Sequence, residues 1–172
     1  MSTSKRRNAL VRRPTEPQDA RAARVFALNA LARRDYAAED LRLKLLEKGY
    51  DAAVVALLLD ALRAEKLLDD RRYMENFVVY HAARGQGPLR VRSELGRHGL
   101  RGAAVEEYLA AYPDWLAHLR TARQKKFGAQ LPGNHADRQR QARFLGYRGF
   151  TSAQIRMALG FDVEVDSGAE ET

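Results

Sequence analysis

Three stretches of this chain, spaced fifty residues apart, carry the same pattern: LLEKGYDAAVVALLL, LGRHGLRGAAVEEYL and LGYRGFTSAQIRMAL. They align on Gly49, Gly99 and Gly149. In register stand Leu45, Leu95 and Leu145 before the glycine, and Tyr50, Leu100 and Phe150 directly after it. Val55, Val105 and Ile155 follow, then Leu59, Leu109 and Leu159. A glycine followed by a bulky apolar residue is how a helix stops: glycine accepts the left-handed backbone, and the next side chain folds back onto the helix just ended. The chain is therefore read as three copies of one helical unit. A unit of this size buries little surface alone, so neighbouring copies should share surface.

Apolar spacing resolves each unit into three helices. In the first, the helices run over 21–34 with Val25, Leu28 and Leu31 inward, 38–48 through Leu41 and Leu45, and 52–64 through Val55, Leu58, Leu59 and Leu62. The second unit has helices near 70–84, 88–97 and 102–111, and the third near 114–127, 137–147 and 152–159. Thr151 with Gln154 reads as a capping box and Asp51 as an N-cap. Pro113 marks the joint between the second and third units. The expected architecture is an all-α, elongated monomer of three tandem three-helix repeats over 21–68, 69–112 and 113–160. Residues 1–20 and 161–172 lack apolar periodicity and are expected to be disordered.

Charge is unevenly distributed over these units. Residues 21–112 are nearly balanced, with sixteen basic and thirteen acidic groups. Residues 113–160 carry nine basic groups against Asp114 and Asp137, while 161–172 hold five acids and no base. A surplus of that kind attracts a polyanion or an acidic protein surface. No cysteine occurs among the 172 residues, which excludes disulfides and thiolate metal sites. No apolar run is long enough for a spanning helix or a secretory signal, so a soluble, cytoplasmic protein is expected.

Catalytic chemistry finds no foothold. Gly85-Gln86-Gly87 begins like a dinucleotide loop, but Arg90 occupies the third glycine position, and the preceding FVVYHAAR continues a helical pattern with Tyr73, Phe77 and Tyr80. A joint between helices, with Pro88 in the first turn of the next, is the better reading. His81, His98, His118 and His135 have no second ligand one turn away. Asp69 and Asp70 fall at a helix start, where carboxylates accept backbone N–H groups. Ser93 and Ser152 lack a nucleophile signature. A helix–turn–helix reader would need donors near the start of the third helix of each unit, yet only the third copy offers them, as Gln154 and Arg156. Phe144 and Tyr147, interleaved with arginines, fit either stacking platforms or core positions.

The runs RDYAAEDLRLKLLEKGY, LLDDRRYMENFVVYHAARGQGPLRVRSELGRHGL and ARFLGYRGF together resemble the RecX family, bacterial regulators of the RecA recombinase, over about residues 21–160. Two departures stand out: Ala37 where relatives often have a capping serine, and Gly146 where a bulkier residue is common. The resemblance implies a non-enzymatic protein without cofactors that lies in the groove of the RecA–single-stranded DNA filament and suppresses ATP hydrolysis, strand exchange and co-protease function. A nonspecific nucleic-acid-binding helical protein is the alternative reading, and weak nonspecific contact with DNA is compatible with either. Candidate binding residues are Arg84, Arg90, Arg92 and Arg97 in the second unit and Lys125, Lys126, Arg138, Arg140, Arg143 and Arg148 in the third, with Arg90 also placed to pair with Glu94 at i,i+4.

Overall fold

Backbone caps set the architecture. In this computed structural model, which describes residues 16–160, the recurring glycines have left-handed backbone, with φ of 106° at Gly49, 81° at Gly99 and 87° at Gly149. Behind each, the following N–H folds back to the leucine carbonyl five residues earlier: Tyr50 to Leu45 (3.2 Å), Leu100 to Leu95 (3.0 Å) and Phe150 to Leu145 (3.2 Å). These bonds satisfy carbonyls that a helix end would otherwise leave unpaired.

The described residues form nine helices and no strand: α1 Ala20–Leu31, α2 Ala38–Lys48, α3 Ala52–Ala64, α4 Asp70–Ala83, α5 Pro88–Arg97, α6 Ala103–Ala111, α7 Trp115–Phe127, α8 His135–Tyr147 and α9 Ser152–Leu159. Their starts are written locally. Asp51 accepts from the N–H groups of Ala53 and Val54, and Thr151 with Gln154 forms the reciprocal capping box. Within the expected N-terminal segment, Asp19 caps α1 and the Pro17 carbonyl accepts from Asp51 N–H at 2.9 Å. The readings for residues 1–15 and 161–172 lie outside the described residues. Ala37 provides no side-chain cap for α2, but Asp70 Oδ1 accepts from Ala38 N–H at 2.8 Å and takes over that task.

The described chain folds as two compact units, residues up to Asp70 and from Arg71 onward. In the first, Ala23, Ala27 and Ala30 of α1 pack with Leu41 and Leu45 of α2, Val55, Leu59 and Leu62 of α3, and Tyr50. This corrects the inward placement of Val25, which is 54% exposed. Val25 lies about 160° around the helix from Ala27. Alanines on the buried stripe let α1 approach its neighbours closely, so small size rather than hydropathy marks that face.

In the second unit α4 to α9 share one core: Met74 and Val78 of α4, Val91 and Leu95 of α5, Val105 and Leu109 of α6, Trp115 and Leu119 of α7, Leu145 of α8, and Phe150, Ile155 and Leu159. Trp115 Nε1 donates to the Leu109 carbonyl at 2.8 Å, which ties α7 to the end of α6 across Pro113. The segment Gly85-Gln86-Gly87 is the α4–α5 joint, and it is pressed against the turn between α8 and α9. Gly87 N–H donates to the Arg148 carbonyl at 2.7 Å and Leu89 N–H to the Gly149 carbonyl at 3.0 Å. A β-carbon on Gly87 would sit 2.3 Å from the Gly149 carbonyl carbon, and one on Gly149 would sit 2.5 Å from the Arg90 nitrogen. Both glycines are there so that two backbones can touch.

Gly87→Ala should therefore cost about 3 kcal/mol of stability, the upper part of the range for inserting a methylene into a packed contact. Gly146→Ala, in α8 with open space around it, should instead gain up to about 1 kcal/mol from helix propensity. Urea denaturation followed by circular dichroism distinguishes them; equal effects would show that the Gly87 contact is not tight.

Candidate functional site

Three helix ends meet in the second unit. The end of α4 with the joint after it, one face of α7 from His118 to Lys126 and the end of α8 form a cleft of about 210 Å³ lined by Arg84, Gly85, His118, Thr121, Lys125, Lys126, Phe144 and Arg148, among others. None of its lining residues is acidic. Four of the ten residues singled out from the sequence converge here although they come from three helices: Arg84, Lys125, Lys126 and Arg148.

Each cation has a local reason for its place. Lys125 and Lys126 occupy the last turn of α7, where the helix dipole favours positive charge. Arg148 is the C-cap of α8. Its Nη1 donates to the carbonyls of Arg84 (3.0 Å) and Gly85 (3.2 Å), and its guanidinium lies 4.9 Å from the centre of the Phe144 ring. Arg84 Nη1 donates to the Tyr80 hydroxyl at 2.6 Å, and its guanidinium lies over the same ring at 5.0 Å. On the cleft wall, His118 Nε2 lies 3.1 Å from the Tyr112 hydroxyl. Burial, with the charge of Asp114 adding to it, pushes the Tyr112 phenol above its ordinary pKa, so it stays protonated.

The remaining candidates are placed differently. On α8, Arg140 and Arg143 share an exposed stripe with Tyr147 at helical spacing, beside the Phe144–Arg148 edge of the cleft. Arg140 also pairs with Asp137 at 2.9 Å. Tyr147 is 84% exposed, which removes the core reading for it, while Phe144 is half-buried against the core. Arg138 lies on another side of α8, half-buried with its Nε enclosed. Arg90 pairs with Glu94 at 3.0 Å, as its i,i+4 spacing suggests. Arg92 pairs with Glu106 at 2.6 Å, and Arg97 is exposed at the end of α5.

One basic residue has a role that the sequence reading missed. Arg123 of α7 is buried and donates to the Ala129 and Gln130 carbonyls, both at 2.9 Å, holding the α7–α8 loop. The other polar groups noted in the sequence are engaged structurally. Gln154 Oε1 accepts from Thr151 N–H, so that amide is committed to the cap. His81 stacks on Phe77 with centroids 4.0 Å apart, and its Nδ1 lies 2.7 Å from Gln86 Oε1. Among the described residues no three His, Cys, Asp or Glu side chains gather as a metal site would require. No helix among the described residues is long and apolar enough to cross a membrane.

Tandem three-helix units without a strand among the described residues define a helical-repeat protein. Residues 69–109 match the second three-helix domain of RecX and residues 113–159 the third. The regulatory protein RecX of Halorhodospira halophila is 43% identical over 138 residues, covering 80% of this chain and 86% of that protein. That of Acidithiobacillus ferrooxidans is 43% identical over 145 residues, covering 84% and 93%. In fold, the crystal structure of RecX from Lactobacillus salivarius superposes with a TM-score of 0.71 over 83% of this chain and 95% of that one, at 17% identity. The chain belongs to the RecX family.

Arg148→Ala removes two bonds from a charged donor to the α4–α5 joint and should cost about 1–2 kcal/mol of stability. Arg143→Ala, exposed and without an ion pair to any described residue, should stay within about 0.5 kcal/mol of the parent. Thermal unfolding of the two variants tests the division between fixed and free arginines.

Proposed function

We propose that this chain is a non-enzymatic regulator of the RecA recombinase, binding the groove of the RecA–single-stranded DNA filament and suppressing its ATPase, strand-exchange and co-protease activities. In that role it acts in the cytoplasm, as a monomer and without a cofactor, and tempers recombinational DNA repair and the SOS response. The observation that carries the reading is the pairing of RecX-family membership with an acid-free cationic cleft in the second unit, a surface suited to a negatively charged filament. The repeated unit plan supports contact with more than one filament subunit. Once one unit is engaged, the next binds at raised effective concentration, which favours action at or below one chain per RecA.

The test is RecA ATP hydrolysis on circular single-stranded DNA. The full chain should inhibit below equimolar ratio. The variant carrying Lys125→Glu and Lys126→Glu should need about tenfold more protein at low salt, with the gap narrowing as salt rises. Capture of RecA that persists after nuclease treatment shows contact with the protein itself. Hydrolysis left unchanged by the parent chain at equimolar ratio overturns the reading.

A further inference from the structure

The cleft and the aromatic residues beside it carry more than a generic attraction to negative charge. Arg84, Lys125 and Lys126 are exposed on its walls and Arg148 is fixed at its edge by its bonds to Arg84 and Gly85. Two exposed tyrosines lie alongside. Tyr80 is 57% exposed and bonded to Arg84 one turn away, and Tyr147, 84% exposed, directly precedes Arg148. On α8 the Arg140–Arg143–Tyr147 stripe is rotated by roughly 40–100° from Phe144, so it continues the cleft wall onto the open surface.

The surrounding backbone narrows the ligand. The cleft is framed by the C-terminal ends of α4, α7 and α8, whose last carbonyls carry partial negative charge. Sites for a multiply charged terminal phosphate commonly add the N–H groups of a helix N-terminus or a glycine-rich nest to their Arg and Lys side chains. No helix begins among the lining residues, and the N–H of His118, in the first turn of α7, is already donated to the Asp114 carbonyl at 3.0 Å. What the cleft offers is side-chain cations of varied reach, which suit a phosphodiester of single charge. The tyrosines offer faces to unstacked bases, which duplex DNA keeps inside its stack.

We propose that the cleft formed by Arg84, Lys125, Lys126 and Arg148 takes the phosphodiester backbone of single-stranded DNA, with Tyr147 as the stacking platform for an adjacent base. This rests on the reading of the second unit as the filament-facing surface and names the part of the filament that it meets. The interaction is independent of sequence, because phosphate and π-face are common to every nucleotide.

The experiment measures fluorescence anisotropy of a labelled oligodeoxythymidylate with the full chain and no RecA, over a salt series, with circular dichroism as the check on folding. The variant with Arg84→Gln, Lys125→Gln and Lys126→Gln should bind about tenfold or more weakly at low salt. Its log–log salt slope should fall by about two, since each lost phosphate contact removes about 0.7. Tyr147→Leu should weaken single-strand binding by about five- to a hundredfold and leave the salt slope unchanged. A duplex of equal length should bind more weakly than the single strand, and Tyr147→Leu should not alter that duplex affinity. Inorganic triphosphate and ATP at matched ionic strength distinguish a strand from a free nucleotide as the source of phosphate. If either binds as tightly as the oligonucleotide, the cleft is a nucleotide site and the proposal falls. It falls as well if the triple variant or Tyr147→Leu binds the strand like the parent, or if duplex and single strand bind alike. Because RecA is absent, failure here with RecA inhibition intact overturns only the strand contact. Loss of RecA inhibition with strand binding intact overturns only the RecA reading.

Discussion

The second unit turns on the place where the backbone of Gly87 crosses that of Gly149. There the N–H groups of Gly87 and Leu89 donate to the carbonyls of Arg148 and Gly149, so the turn between α8 and α9 supplies acceptors to the start of α5, which has no side-chain cap. The exchange is reciprocal, because the guanidinium of Arg148 donates back to the carbonyls of Arg84 and Gly85. Two repeats that the sequence presents as successive copies are thereby locked into one core. The same lock brings the end of α4 beside the ends of α7 and α8. The cleft is a consequence of how the repeats join, and no single repeat contains it.

The charge of that cleft is compatible with the fold for a reason specific to its location. A cation in the last turn of a helix gains about 0.3–1 kcal/mol from the dipole at low salt. Lys125, Lys126 and Arg148 all stand at helix C-terminal ends. Like charges gathered in one cleft oppose folding, and the dipoles at the helix ends offset part of that cost for these three. A cationic cleft and helix termination thus favour the same residue types. Three of the nine basic groups of residues 113–160, Lys125, Lys126 and Arg148, line the cleft.

The helices were legible in the sequence because their limits are local events. Glycine after leucine, Asp51, the Thr151–Gln154 box and Pro88 each act within one turn, and α2, α3, α5 and α9 run over the spans their periodicity predicts. Packing by small size was not legible: the buried alanines of α1 look neutral beside Val25, and only closeness of approach selects them. The surplus of charge was legible by segment but not by side. Arg138 and Arg140 are two residues apart yet sit on different sides of α8, and Arg92 is drawn to Glu106 on another helix. Arg123 carried no sequence signal that separates it from a solvated arginine, because the carbonyls it satisfies lie in a loop whose path depends on the fold. The joining of Arg84 with Lys125 and Arg148 required the Gly87–Gly149 crossing, a long-range contact that spacing does not reveal.

Arg148 shows how one side chain serves both the join and the surface. Its two hydrogen bonds to the α4–α5 joint come from Nη1, while a guanidinium has five N–H donors in a rigid fork. Among the described residues no acceptor engages the others, so a guanidinium fixed in place at the cleft keeps donors in reserve. Lys125 and Lys126 differ: they are exposed point charges on flexible stems, free to follow a ligand that shifts along its length. In the proposed strand contact, the fixed charge would set where the polyanion enters and the mobile charges would tolerate its register. That division suits a partner that repeats along its axis, since a rigid cage of four arginines would hold one phosphate and resist the next.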